Sequence, residues 1–202
     1  MRKPRIVVLG SSNTDLIVRV PHIPQPGETI LGGKFVTAAG GKGANQAVAA
    51  ARAGSEVTFV ARVGDDRFGQ EAVAGFIRDA IHVRHVRRER RCPSGVALIF
   101  VAANGQNSIA VAPGANARLT AADARRARAD LEQADVLVAQ LEVPLAAVAE
   151  AVRLAARAGV PVILNPAPAA KLPPTLLRLV SVLTPNESEA RLLTGVNVTD
   201  VA

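Results

Sequence analysis

Largely apolar runs, each too short for a helix and each closed by glycine, proline or polar residues, recur along the chain: Arg5 to Leu9, Val57 to Val63, Val136 to Ala139, Val160 to Leu164 and Leu179 to Leu183. Runs that are apolar throughout rather than alternating belong to strands covered on both faces, as in a parallel sheet. Helical segments lie between them. Ala47 to Ala53 is Ala-rich and stops at Gly54, and Asp66 can cap a helix carrying Phe68, Ala72, Val73, Phe76 and Ile77. Thr120, with Asp123 at the capping-box position, opens another helix, and a further one runs from Pro144 to Gly159. This β-α-β rhythm predicts an α/β fold: a three-layer, mainly parallel, Rossmann-like sheet with right-handed crossovers.

Two regions break the rhythm. Leu16 to Val20 alternates in the strand manner, is interrupted by Pro21, Pro24, Pro26 and Gly27, and is followed by an extended run from Glu28 to Thr37. Gly95 to Val101 and Asn107 to Val111 are joined through Asn104-Gly105, a strong hairpin signal. Neighbouring strands with no helix between them predict a small antiparallel sheet set apart from the main one, with both pairs in it.

At 202 residues the chain can bury a substantial core in one domain, or at most two. No apolar stretch is long enough to span a membrane, and Met1-Arg2-Lys3-Pro4 leads into a strand rather than a signal-peptide core, so the expectation is a cytoplasmic protein without a membrane partner. Cys92 is the single cysteine and reads as a loop thiol. The net charge of +7 and the runs Arg87-Arg88-Glu89-Arg90-Arg91 and Arg125-Arg126-Ala127-Arg128 raise a nucleic-acid reading. The chain has no Trp or Tyr to stack bases, so no nucleic-acid partner is expected, and the basic balance suits an anionic small substrate such as a nucleotide. His82 and His85 have no neighbours at metal-ligand spacing and read as surface histidines.

The stretch Ala39-Gly40-Gly41-Lys42-Gly43-Ala44-Asn45-Gln46 is a glycine-rich loop feeding a helix N-terminus, a ready site for anions or hydroxyl oxygens. It is neither of the two best-known phosphate loops: Gly43 rather than Ser or Thr follows Lys42, and no third glycine completes the dinucleotide spacing. Other polar groups fall where open α/β sheets bind ligands, just past strand carboxyl ends: Asn13 and Asp15, Gln140 and Glu142, Asn165, and Asn186 with Glu189. Each has a plainer reading beside the functional one. Asn13 and Asp15 can build a turn, Asn186 and Glu189 can form a capping box, and Asp65 and Asp66 are better read as turn and cap than as metal ligands.

Taken in order, V-V-L-G-S-S-N-T-D, P-G-E-T, A-G-G-K-G-A-N-Q-A, V-G-D-D-x-F-G, S-G-V-A-L-I-F-V, P-G-A-N, N-P-A-P-A and T-P-N-E-S-E-A closely resemble the ribokinase-like (PfkB-type) family of carbohydrate kinases, from Arg5 to about Val198. The resemblance implies a β-sheet lid inserted at about residues 15–38 and 94–112, which in the family also forms a homodimer contact. It implies ATP-dependent phosphorylation of D-ribose to D-ribose 5-phosphate, the alternatives being a non-catalytic sugar binder or a kinase of another sugar or a nucleoside. It assigns the sugar to Asn13, Asp15, Gly41, Lys42, Asn45 and Glu142, with Thr14, Gly43 and Ala44 beside them. Asn186 is assigned to the nucleotide phosphates, and Glu189 to Mg²⁺ through water. The family's glycine-rich loop with the catalytic-base Asp, its adenine pocket and its monovalent-cation (K⁺) site have no counterpart in these residues. The reading is therefore of an incomplete domain with impaired activity.

Overall fold

The computed structural model describes residues 2–31 and 33–197. Its main sheet has six parallel strands in the order β10-β9-β8-β1-β4-β5. These are β1 (Arg5–Leu9), β4 (Glu56–Gly64), β5 (His82–Glu89), β8 (Val136–Gln140), β9 (Val162–Asn165) and β10 (Val182–Leu183). Helix α1 (Lys42–Arg52) precedes β4, and α2 (Arg67–Arg78) lies between β4 and β5. Helices α3 (Ala121–Arg126) and α4 (Arg128–Gln133) precede β8, α5 (Leu145–Arg157) and α6 (Pro174–Leu177) precede β9 and β10, and α7 (Glu187–Thr194) follows them.

Pleating divides the core in two. Val7 and Leu9 of β1 turn to one face, where they meet Leu131, Leu137, Val148 and Val152. Val8 turns to the other and meets Val57, Phe59, Ala47 and Phe76. Phe59 and Phe76 pack edge to face with centroids 5.1 Å apart, close to the preferred aromatic geometry. Apolar side chains on both faces require helices on both, and the three-layer α/β expectation is met.

The second sheet comprises β2 (Asn13–Val20), β3 (Lys34–Gly40), β6 (Gly95–Ala102) and β7 (Asn107–Ala112), in the order β3-β2-β6-β7. The two pairs do join, with Gly105 in the left-handed turn the hairpin needs. The expectation of a purely antiparallel sheet is corrected, because β2 and β6 run parallel from Asn13↔Gly95 to Val20↔Ala102. The strand boundaries also differ. β3 begins at Lys34 rather than Glu28, and β2 begins at Asn13, so Asn13 to Asp15 lie in a strand rather than in a turn.

Other local expectations shift for tertiary reasons. The helix opened by the Thr120–Asp123 capping box is interrupted at Ala127, whose side chain is buried, and resumes as α4. Ile77 is exposed despite its helical spacing. His85 is not a surface histidine: it is largely buried, with Nε2 2.7 Å from Asp130 Oδ2. Asp66 caps α2, accepting from Gly69 N at 2.8 Å, as expected of a cap. Among the described residues no helix is long and apolar enough to cross a membrane, and no group of three or more His, Cys, Asp or Glu side chains is placed to hold a metal ion.

The basic runs are largely held in ion pairs. Asp123, whose side chain is 2% exposed, accepts from Arg62 Nε at 2.9 Å, Arg126 Nη1 at 3.0 Å and Arg87 Nη1 at 3.3 Å. Burial alone would raise its pKa, but hydrogen bonds from Thr120 and the charge and hydrogen bonds of Arg62 outweigh that and hold it below the ordinary aspartate range. The folded chain therefore binds fewer protons than the unfolded chain in the interval between the two values. The stabilisation is complete above the ordinary range and is lost as pH falls through that interval. Asp123→Ala is expected to lose about 1–3 kcal/mol in urea unfolding at neutral pH, because it removes the hydrogen bonds to Thr120 and Arg62 while Arg62 keeps Glu89, and the gap to the parent chain should narrow on acidification. An unchanged midpoint would contradict this.

Candidate functional site

The carboxyl ends of the six parallel strands define one edge, and the site is built where α1 lands on it. Gly41 has φ +90°, a conformation suited to glycine, and turns the chain from β3 into α1. Gly43 permits the helix to touch the β1–β2 corner. A Cβ there would lie 2.5 Å from Ser11 N and 2.7 Å from Gly10 C, inside any real contact distance. The unpaired N–H groups of the first turn are then satisfied across the chain. Lys42 N donates to Glu142 Oε2 at 2.9 Å, Gly43 N to Ser11 Oγ at 3.2 Å and Ala44 N to the Ser11 carbonyl at 2.8 Å. Ser11 Oγ donates in turn to Glu142 Oε2 at 2.6 Å. Glu142 thus places a negative charge at the positive end of the helix.

Beneath this corner Gln140 is fully buried, and its Nε2 donates to the Leu9 carbonyl at 3.0 Å and to Gln46 Oε1 at 3.3 Å. A Cβ on Gly10 would overlap that amide, at 1.8 Å from Nε2. Ser11 and Gln140 thus position α1. The sequence showed Ser11 only as part of a polar stretch and Gln140 only as a strand-end residue.

Asp15 lies across the corner over Gly40, where a Cβ would come within 2.1 Å of its Oδ1. Its carboxylate makes no hydrogen bond among the described residues. Burial, and secondarily the charge of Glu142, push its pKa above the ordinary aspartate range. The structure therefore brings Asp15, Gly41, Lys42 and Glu142 together around the start of α1, with Asn13 beside them on the same face of β2.

It does not bring every candidate to that point. Thr14 faces the opposite side of β2, as strand alternation demands. Thr14, Ala44 and Asn45 line a cavity of about 440 Å³ between the second sheet, α1 and α2, which Asn13 and Gly40 also border. Asp15, Lys42 and Glu142 do not line it, so this cavity and the charged cluster adjoin without coinciding. The charged cluster keeps one carboxylate, Asp15, without a hydrogen bond among the described residues, whereas the N–H groups of the helix start are already taken by Ser11 and Glu142.

Asn186 and Glu189 lie further along the edge, beyond β10, three strands from β1 or roughly 14 Å at the usual strand spacing. They form the capping box of α7: Asn186 Oδ1 accepts from Glu189 N at 2.8 Å, and Glu189 Oε2 accepts from Asn186 N at 2.9 Å. The capping role is thus realised, and among the described residues the Asn186 amide N–H₂ and the second Glu189 oxygen take no other hydrogen bond. Asn165 Nδ2 donates to the Thr184 carbonyl at 2.8 Å and ties β9 to β10.

Two substitutions test this geometry. Gly43→Ala is expected to destabilise the fold by about 1–3 kcal/mol, as other overpacked contacts do, because backbone rather than a movable side chain stands in the way. Glu142→Gln should lower the Asp15 pKa towards, but not fully to, the ordinary range, since burial persists. Carboxyl-carbon NMR titration reads this directly, and an unmoved Asp15 would show that the two carboxylates do not sense each other.

Residues 3–202 match the pfkB family carbohydrate kinases. The chain is 45% identical over 200 residues to a ribokinase of Haemophilus influenzae, covering 99% of this chain and 65% of that protein. It is 41% identical to a deoxyribokinase of Salmonella typhi, covering 96% of this chain and 63% of that protein. The solved ribokinase of Arabidopsis thaliana in complex with ribose and ATP superposes with a TM-score of 0.86 at 32% identity, covering 99% of this chain and 65% of that one. The chain spans just under two thirds of the length of these relatives. A matching family over nearly every residue, carried on a matching fold, means that the chain belongs to the pfkB family of carbohydrate kinases.

Proposed function

We propose that this chain carries the sugar-binding part of an ATP-dependent ribokinase, which converts D-ribose to D-ribose 5-phosphate. The observation that supports it most is Asp15: a partly buried carboxylate without a hydrogen-bond partner among the described residues, beside a helix N-terminus and a second carboxylate. Such a group suits a neutral polyol. Its two oxygens accept from neighbouring ring hydroxyls, while the Lys42 ammonium and the Asn13 amide donate. Gly40 and Gly41 leave room for the ring at the backbone. Gly43 lets the helix start close on Ser11 beneath the ring, while Thr14, Ala44 and Asn45 line the adjoining cavity rather than this site.

Phosphoryl transfer depends chiefly on positioning and charge stabilisation. With the sugar over β1 and β8, its terminal hydroxyl points along the edge towards Asn186 and Glu189. The free Asn186 amide suits a phosphate oxygen. Glu189, with one oxygen committed to its cap, suits a water-bridged contact to the Mg²⁺ that accompanies the nucleotide. The deoxyribokinase relative keeps a second pentose in view for the same site.

Calorimetry with D-ribose is expected to give saturable binding, weakened about ten- to hundredfold by Asp15→Asn, the range for hydrogen bonds to a charged group. Acidification should weaken binding as Asp15 protonates, and because its pKa is raised the decline should begin above the ordinary aspartate range. Ribose binding by Asp15→Asn equal to the parent's, or strong preference for fructose or adenosine, would overturn the reading.

A second copy of the chain is the proposed protein partner. Phe35, Leu98 and Phe100 are exposed together on the face of the second sheet turned away from Asp15, and a contiguous apolar face of this kind favours association. Sedimentation should show a dimer that Leu98→Glu converts to a monomer. A monomeric parent chain would refute the dimer without touching the sugar site.

A further inference from the structure

Asn116 stands outside the cluster around α1, in the 3-10 turn Gly114–Arg118 that leaves the second sheet, and is 1% exposed. We propose that Asn116 is a positioning residue that makes Asn13 an obligatory hydrogen-bond donor towards the ligand. The proposal rests on the sugar site described above.

The orientation is forced outward from the backbone. Ser12 N–H can only donate, so the group it meets at 2.9 Å is Asn116 Oδ1. The Ser12 carbonyl can only accept, so the group it meets at 3.1 Å is Asn116 Nδ2. Two backbone groups thereby remove the usual ambiguity of an amide flip. The second N–H of Asn116 then meets Asn13 at 2.7 Å, and the partner atom must be Oδ1. With its carbonyl occupied, Asn13 turns Nδ2 away from Asn116, and that nitrogen makes no hydrogen bond among the described residues. Gly95 provides the space, since a Cβ there would lie 2.2 Å from both Asn116 Nδ2 and Asn13 Oδ1.

The consequence is a polarity rule for the site. Asp15 offers only acceptors and Asn13 only donors, side by side on one strand face. The ligand atom facing Asn13 must therefore carry a lone pair, as a hydroxyl or ring oxygen does, and an ammonium at that position is rejected.

The test uses Asn116→Asp, which keeps the acceptor for Ser12 N–H but presents a second oxygen to Asn13. The Asn13 amide should flip to donate, turning its carbonyl to the ligand. In side-chain amide NMR of the ¹⁵N-Asn-labelled chain, the Asn13 N–H₂ should change from rapid to slowed hydrogen exchange. D-ribose Kd by calorimetry should rise about tenfold, the scale of one lost hydrogen bond. Asn13→Asp leaves Asn116 bonded and should weaken ribose to a similar degree while the Asn116 N–H₂ stays protected. In an Asn13→Ala background, Asn116→Asp should have no further effect on ribose. Equal exchange of the Asn13 amide in parent and Asn116→Asp chains, or an undiminished ribose effect without the Asn13 side chain, would overturn the proposal. If the parent chain binds no ribose, the sugar reading fails, and the exchange pattern alone decides the positioning role.

Discussion

The docking of α1 onto the corner between β1 and β2 is the contact on which the rest of the site depends. Three successive N–H groups at the start of the helix leave the helix and bond to Ser11 and Glu142, residues from two other strand ends. A helix held by its own N-terminus cannot rotate without breaking all three, so the direction of its dipole, the place of Lys42 and the height of Asp15 above Gly40 are set together. Gly43 makes the approach possible and Gln140 supports it from below. Charge at this corner is arranged as a compromise. Glu142 is stabilised by the helix end it caps, yet together with burial its charge makes the neighbouring Asp15 carboxyl harder to ionise.

The second sheet is tied to the body by polar side chains rather than by apolar packing. Asp66 caps α2 and at the same time accepts from Ser94 N at 2.8 Å and Ser94 Oγ at 2.7 Å, anchoring the entry to β6. Hydrogen bonds to Asp66 overcome the effect of burial and keep its carboxyl below the ordinary range. Asn116 anchors the exit from β7 in the same way. The sheet itself, from Phe35 across to Val111, leaves large apolar side chains exposed. A sheet pinned at its base and uncovered along its length holds Asn13 and Asp15 in place while presenting a broad surface.

Much of the main fold was legible because it rests on local patterns. Unbroken apolar runs such as Val57 to Val63 reported strands buried on both faces, and Thr120 with Asp123, Asp66 and Asn104-Gly105 reported caps and a hairpin that formed as read. The misread parts were those decided by remote partners. The parallel pairing of β2 with β6 joins residues some 80 positions apart and leaves no mark on either strand. His85 carries no sign of Asp130, nor Ala127 of the core that interrupts its helix. Of the candidate site, Asp15, Lys42 and Glu142 were found as polar residues at strand and helix ends. Ser11 and Asn116 were not, since a serine in a polar stretch and an asparagine in a turn look alike whether or not they hold another residue.

By itself the sequence determined which segments become strands and helices, because burial period and caps are local, and it determined which chemistry is available at the strand ends. Its motifs also named the family. Only the tertiary structure decided how those groups are used. It set Glu142 against Ser11 and the start of α1, held the Gln140 amide on the Leu9 carbonyl, and oriented the Asn13 amide through Asn116. The physical reason is common to all three. A side chain's donor or acceptor role is settled by which partners it has already taken, and those partners come from elements far apart in the chain.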